Sequence, residues 1–212
     1  MPTLLALGAH FDDCVFGIPG ILLKAVRKNY RVVLAALVGD YPAELKQRTV
    51  AVSKEYGAEM RYLDFRSHRF DVNTETKTAV AGLVAQVQPD IAFALWRADH
   101  HDDHVVASEV STIALRYASA LLGDQPVRPP RRIYLYDNGP RHTIGFEPDT
   151  FVDVGEEWPR ALQWLGRFYD DPKAGAASQQ LKETLAAYRG KTCGVAFAEA
   201  VQSLGKHPRE IL

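Results

Sequence analysis

Apolar residues in this chain fall into short unbroken runs, separated by stretches where they recur every three or four positions. Residues 3–8 (TLLALG), 31–38 (RVVLAALV), 90–95 (DIAFAL) and 132–136 (RIYLY) are continuous runs of strand length. Such runs are the pattern of strands covered on both faces. Residues 60–65 add a further strand. Between them, 18–28, 43–56, 74–88 and 104–122 carry helical periodicity. Their expected stops are Asn29, Gly57 and Pro89, residues suited to ending helices. Strand and helix alternate, which predicts an α/β chain with right-handed crossovers. The expected fold is a Rossmann-like, mostly parallel sheet with helices on both faces.

The last third is less regular. Residues 151–154 read as a short strand, and 158–169, 178–188 and 194–204 as helices. The Pro-rich stretch 125–131 and residues 170–177 read as loops. Neither is long enough to separate domains, so one domain over 1–212 is expected.

Polar residues interrupt this pattern at two informative places. After the first run comes GAHFDDCVFGIPG (8–20), with His10, Asp12 and Asp13 inside four positions. After the run at 90–95, the fourth expected strand, comes WRADHHDDHVVA (96–107), with Asp99, His100, His101, Asp102, Asp103 and His104. In open α/β sheets, ligands bind beyond the carboxyl ends of the strands. Both clusters sit at that edge. One such cluster alone would ordinarily be an Asp-capped helix start. Two of them converging would repel one another without a cation between, and imidazole with carboxylate suits a borderline metal such as zinc.

These residues also carry a resemblance. AHFDD followed by GIPG resembles the AHPDD…G..GG motif of the LmbE-like, or PIG-L, family of zinc-dependent de-N-acetylases. DHHDDH resembles that family's D.HPDH. QRTVAVSKEYGAEMRYLDF, EPDTFVDV and GVAFAEAV are similar to further family segments, so the likeness spans nearly the whole chain.

The resemblance implies His10, Asp13 and His104 as ligands of one zinc (or another divalent ion) per chain. It implies Asp12 as general base. His101 would be a protonated donor to the oxyanion, and Asp103 would orient it. The implied reaction releases acetate and a free amine from an N-acetylglucosamine-type conjugate. It also implies a symmetric homo-oligomer, with the aromatic stretch 158–169 as candidate interface. Arg48, Asp99 and His142 are candidate substrate contacts. The chain departs from the motifs where Phe11 and Asp102 replace prolines, and where the family's Arg-x-x-Glu reads Arg48…Ala51. Cys14 reads as a small buried filler.

Composition removes several other classes. With 25 basic and 26 acidic residues the net charge is −1, so there is no global field to recruit nucleic acid or an anionic membrane. Two cysteines imply no disulfide framework. No leader pattern opens the sequence and no apolar stretch approaches the ~18 residues of a membrane span. A cytoplasmic protein is therefore expected. No G-x-G-x-x-G follows the first strand, which argues against dinucleotide binding. Two alternatives stay open: a two-metal phosphoesterase, or a non-catalytic binder of sugars or metabolites on the same fold.

Overall fold

The computed structural model describes residues 1–205. Five parallel strands form most of one sheet: β1 (Thr3–Gly8), β2 (Arg31–Val38), β3 (Ala58–Phe65), β4 (Ile91–Leu95) and β5 (Arg132–Tyr136). Two more, β6 (Thr150–Asp153) and β7 (Ala198–Ser203), complete it. The spatial order is β3-β2-β1-β4-β5-β7-β6, with β7 antiparallel to both β5 and β6. All six residues of β1 are buried, as are seven of the eight in β2. Their uninterrupted apolar character follows from that two-sided cover.

The helices are α1 (Asp13–Gly17), α2 (Pro19–Arg27), α3 (Ala43–Glu55), α4 (Thr74–Val87), α5 (Asp102–Leu121), α6 (Trp158–Arg167) and α7 (Pro172–Cys193). The chain leaves β1 toward β2 on one side, whereas β4 lies on the other side of β1. Right-handed crossovers running in opposite directions put their helices on opposite faces. The loops after β1 and β4 therefore diverge, and a crevice opens between them at the carboxyl edge. Both His/Asp clusters lie there.

Three expectations for the C-terminal third need correction. Residues 194–204 are not a helix. After the αL cap at Gly194, the chain enters β7 between β5 and β6. Ala and Glu favour helix locally, but four buried residues in a row (198–201) show a strand covered on both faces, where pairing overrides propensity. Of residues 170–177, only the first two are loop, and the rest begin α7. Asp171 caps α7 by accepting the Lys173 N–H at 2.9 Å, and Pro172 occupies the first turn, where its missing N–H does no harm.

Gly175 suits that helix because α7 crosses α6 closely: a Cβ there would lie 2.9 Å from the Gly166 carbonyl oxygen. Nor do the aromatics of 158–169 form an outer face. Trp158, Trp164 and Phe168 are buried, and Trp164 stacks on Tyr56 at 5.2 Å within the same chain. They are core residues.

Candidate active site

The first cluster turns directly out of β1 into the short helix α1. Gly8 permits the turn, because a Cβ there would fall 2.6 Å from Asp13 Cβ. Asp12 occupies the N-cap position of α1, yet its carboxylate makes no capping hydrogen bond. It is left for another purpose. Asp13, in the first turn, is buried; its Oδ2 accepts the His10 backbone N–H at 2.7 Å.

The second cluster follows β4. His101 caps α5, its Nδ1 accepting the Asp103 backbone N–H at 3.2 Å. The helix thus begins two residues earlier than periodicity indicated. Asp103 and His104 are carried into the crevice, whereas His100 stays exposed.

Across the crevice, His10 Nδ1 and His104 Nε2 face each other at 3.1 Å. Asp13 Oδ1 lies 3.4 Å from His104 Nε2, and Asp13 Oδ2 lies 3.7 Å from His10 Nδ1. Each imidazole is anchored from behind by a carboxylate. Asp103 Oδ2 sits 3.0 Å from His10 Nε2, and Asp99 Oδ2 sits 3.2 Å from His104 Nδ1. Carboxylates behind imidazoles are the usual outer support of metal-ligating histidines. Two basic nitrogens and a carboxylate oxygen converging with their backs held make a donor set that fits a divalent ion.

The electrostatics agree with that donor set. Burial opposes charge on His104, but Asp13 and Asp99 outweigh it and raise its pKa to about 10. Burial likewise opposes charge on Asp13, yet His104 and His10 hold its carboxyl well below the ordinary range. His104 therefore keeps a proton between these carboxylates at neutral pH, and a metal ion can take the place of that proton. Asp12 shifts the other way: burial first, then the neighbouring Asp13, raises its pKa.

Asp103 meets His101 through its backbone N–H alone, and its carboxylate, expected to orient that ring, points elsewhere. Besides His10, its carboxylate accepts from Ser67 Oγ at 2.7 Å and from the His68 N–H at 2.9 Å. The His101 pKa is lowered, by burial and then by His10 and His104, with Asp103 opposing. A neutral imidazole whose Nδ1 accepts a hydrogen bond carries its proton on Nε2. His101 is thus an N–H donor without being a cation.

His10, Asp12, Asp13, His101, His104 and His142 line one cavity of about 220 Å³. Asp99 and Arg48 do not line it. Asp99 serves His104 instead, and Arg48 donates Nη2 to the Phe168 carbonyl at 2.8 Å while pairing with Asp170. Several cavity-lining residues escaped the sequence reading, Arg141 and Ser178 among them, and two of these residues bond the aspartates. Asn138, just past β5, donates Nδ2 to Asp13 Oδ1 at 2.6 Å. Tyr169, between α6 and α7, donates its hydroxyl to Asp12 Oδ2 at 2.7 Å. Neither carries a local signal, since Asn138 lies in a turn-like DNGP stretch and Tyr169 at the end of a helix before DDP, where such residues are ordinary. Cys14 is buried, with its thiol pushed up to about 12 by burial, so it is inert filler.

A family profile described as "PIG-L: GlcNAc-PI de-N-acetylase" matches residues 5–115. Among solved structures, a conserved protein of Thermus thermophilus shares 21% identity at a TM-score of 0.87, covering 100% of this chain and 98% of its own. The 4-carboxy-2-hydroxymuconate hydratase GalB of Pseudomonas putida shares 17% identity, with both chains covered in full, at 0.83. The N,N'-diacetylchitobiose deacetylase of Pyrococcus horikoshii shares 18% identity at 0.77, covering 95% of this chain and 83% of its own. At these identities the likeness is one of fold, and a hydratase and a deacetylase both wear it.

Proposed function

The chain belongs to the PIG-L family, and from that premise we propose that it is a metal-dependent hydrolase of linear amides, removing the acetyl group from an N-acetylglucosamine-type conjugate. The observation that carries the reading is the division of labour between adjacent carboxylates. Asp13 turns inward to His10 and His104, while Asp12 lines the cavity without capping its helix.

His10 Nδ1, His104 Nε2 and Asp13 would hold the ion, with zinc as the proposed metal. Bound there, it would supply Lewis acidity toward the amide carbonyl and lower the pKa of water. Asp12 accepts the proton of the attacking water, a task its raised pKa favours. His101 presents its Nε2–H to the oxygen that gains charge. Loss of one such donor typically lowers turnover about 10²–10³-fold. Asp12 then returns the proton to the departing amine, so acetate and a free amine leave and Asp12 is restored.

At about 220 Å³, the cavity is smaller than the ~300–1,000 Å³ of pockets for drug-sized ligands. In this reading it takes the reacting end of the conjugate and leaves the remainder outside. A two-ion phosphoesterase is less well supported. The second group able to hold an ion, His10, His101 and Asp103, shares His10 with the first.

The test is acetate release from a panel of N-acetylglucosamine conjugates, run beside elemental analysis of the same preparations. Release dependent on about one zinc per chain is expected. A metal-loaded protein that hydrates an unsaturated carboxylic acid, and releases no acetate, would overturn the reading.

A further inference from the structure

Beyond its own backbone N–H, nothing local holds the Asp12 side chain. It stands at the N-cap of α1 without making a capping bond, one position from a residue whose carboxylate faces the two imidazoles. A free Asp12 carboxylate could swing toward the same ion and would then cease to be a base. Tyr169 is the group that restrains it, its hydroxyl donating to Asp12 Oδ2 at 2.7 Å and leaving Oδ1 for proton transfer.

Tyr169 is itself restrained from two directions. Its ring lies 6.2 Å from that of Phe11, which in turn packs edge-on against Tyr41 at 5.4 Å. Phe11 is the residue standing where related motifs have proline. The backbone beside Tyr169 is tied down by Arg48, which bonds the Phe168 carbonyl and pairs with Asp170. Phe168 is fully buried, so the tie has a fixed base. One arginine on α3 thus sets the strap that sets the tyrosine that holds the carboxylate.

We propose that Tyr169, seated by Phe11 and anchored by Arg48, is a positioning residue that keeps Asp12 off the metal and in place as the base. The proposal rests on the reading of Asp12 as base, but its first test does not depend on turnover. Chelator competition on the purified full chain measures zinc affinity. If Tyr169 restrains Asp12, Tyr169→Phe frees a second carboxylate to coordinate and should bind zinc tighter, roughly tenfold, the low end of the changes known for residues behind metal ligands. Adding Asp12→Asn to Tyr169→Phe should return the affinity to that of Asp12→Asn alone. A merely structural loss would weaken zinc instead, so unchanged or weaker binding in Tyr169→Phe overturns the proposal.

Turnover on an N-acetylglucosamine conjugate gives the second test. Tyr169→Phe should lower kcat about 10–100-fold with KM little changed. Arg48→Ala should lower it less, and should do nothing further in the Tyr169→Phe background, as expected of two residues acting in series. Additive effects would remove Arg48 from the chain of support. If the wild type releases no acetate, the deacetylase reading fails, while the zinc measurement still decides the role of Tyr169.

Discussion

The parallel strands of the sheet and its antiparallel end contribute to the site in different ways. β1 and β4 terminate in the clusters that carry His10, Asp12, Asp13, His101 and His104. Among the described residues, both three-residue groups able to hold an ion come from residues 10–104. The residues that follow β5, 137–205, add no member to those groups, yet several of their side chains reach across to support them. Asn138 bonds Asp13 and Tyr169 bonds Asp12. Lys182 on α7 donates to the Gly17 carbonyl, where α1 ends. Glu199 on β7 accepts the N–H groups of Gly20 (3.0 Å) and Ile21 (2.8 Å), where α2 begins.

Lys182 and Glu199, 3.3 Å apart and almost wholly buried, clamp the far end of the motif where α1 gives way to α2. In the proposed reaction, one region supplies the chemistry from neighbours in sequence. The other makes it rigid from a distance, which catalytic geometry requires.

The sharpest way to break this division is at the base. Asp12→Asn should lose on the order of 10²–10⁴ in turnover for want of proton transfer, and should keep its zinc. Asp13→Asn, one position on, should instead lose zinc, with activity partly restored by excess metal. Equal zinc loss in both variants would mean that both carboxylates coordinate.

The Lys182–Glu199 clamp should fail in stability rather than chemistry. Lys182→Met leaves Glu199 buried without its cation, and removing one partner of such a pair costs about 3–5 kcal/mol. The two N–H groups that remain on Glu199 place the expectation at the low end. Denaturant titration followed by circular dichroism reads it, and Lys182→Met/Glu199→Gln should recover some of the loss. A wild-type midpoint in Lys182→Met would mean that the clamp is idle.

Smaller effects should appear where the two regions meet. Asn138→Ala removes the donor that orients Asp13 but no ligand. Zinc affinity should fall about 10–100-fold, with turnover near normal at saturating zinc. Asp99→Ala, behind His104, should behave alike although it lies in the other region. If Asn138→Ala binds zinc normally, the C-terminal region does not tune the metal.

The smallest effect concerns protons. His104 holds a proton in the absence of metal, with its pKa raised to about 10. Zinc must displace that proton, so below that pKa affinity should weaken as pH falls, by about tenfold per unit for one proton. Calorimetry in buffers of different ionisation enthalpy should count close to one proton released at neutral pH. The same count should hold in Asn138→Ala, because the proton belongs to the parallel side alone.

What the sequence determined by itself was local. The cores of β1, β2, β4 and β5 are continuous apolar runs that allow no other comfortable reading, and the two His/Asp clusters follow β1 and β4 within a few residues. A strand's carboxyl end and the turn beyond it are set by adjacent residues, so the site could be located before any folding was considered.

Tertiary structure decided the pairings. Asp103 serves His10, 93 positions away, rather than the nearby His101; Asn138 reaches Asp13 across 125 positions and Tyr169 reaches Asp12 across 157. It also made 198–203 a strand where propensity reads helix. A carboxylate has no preferred partner until packing fixes the direction of its Cα–Cβ bond and the burial around it. A segment of Ala and Glu likewise has no committed shape until two neighbouring strands offer it their hydrogen bonds.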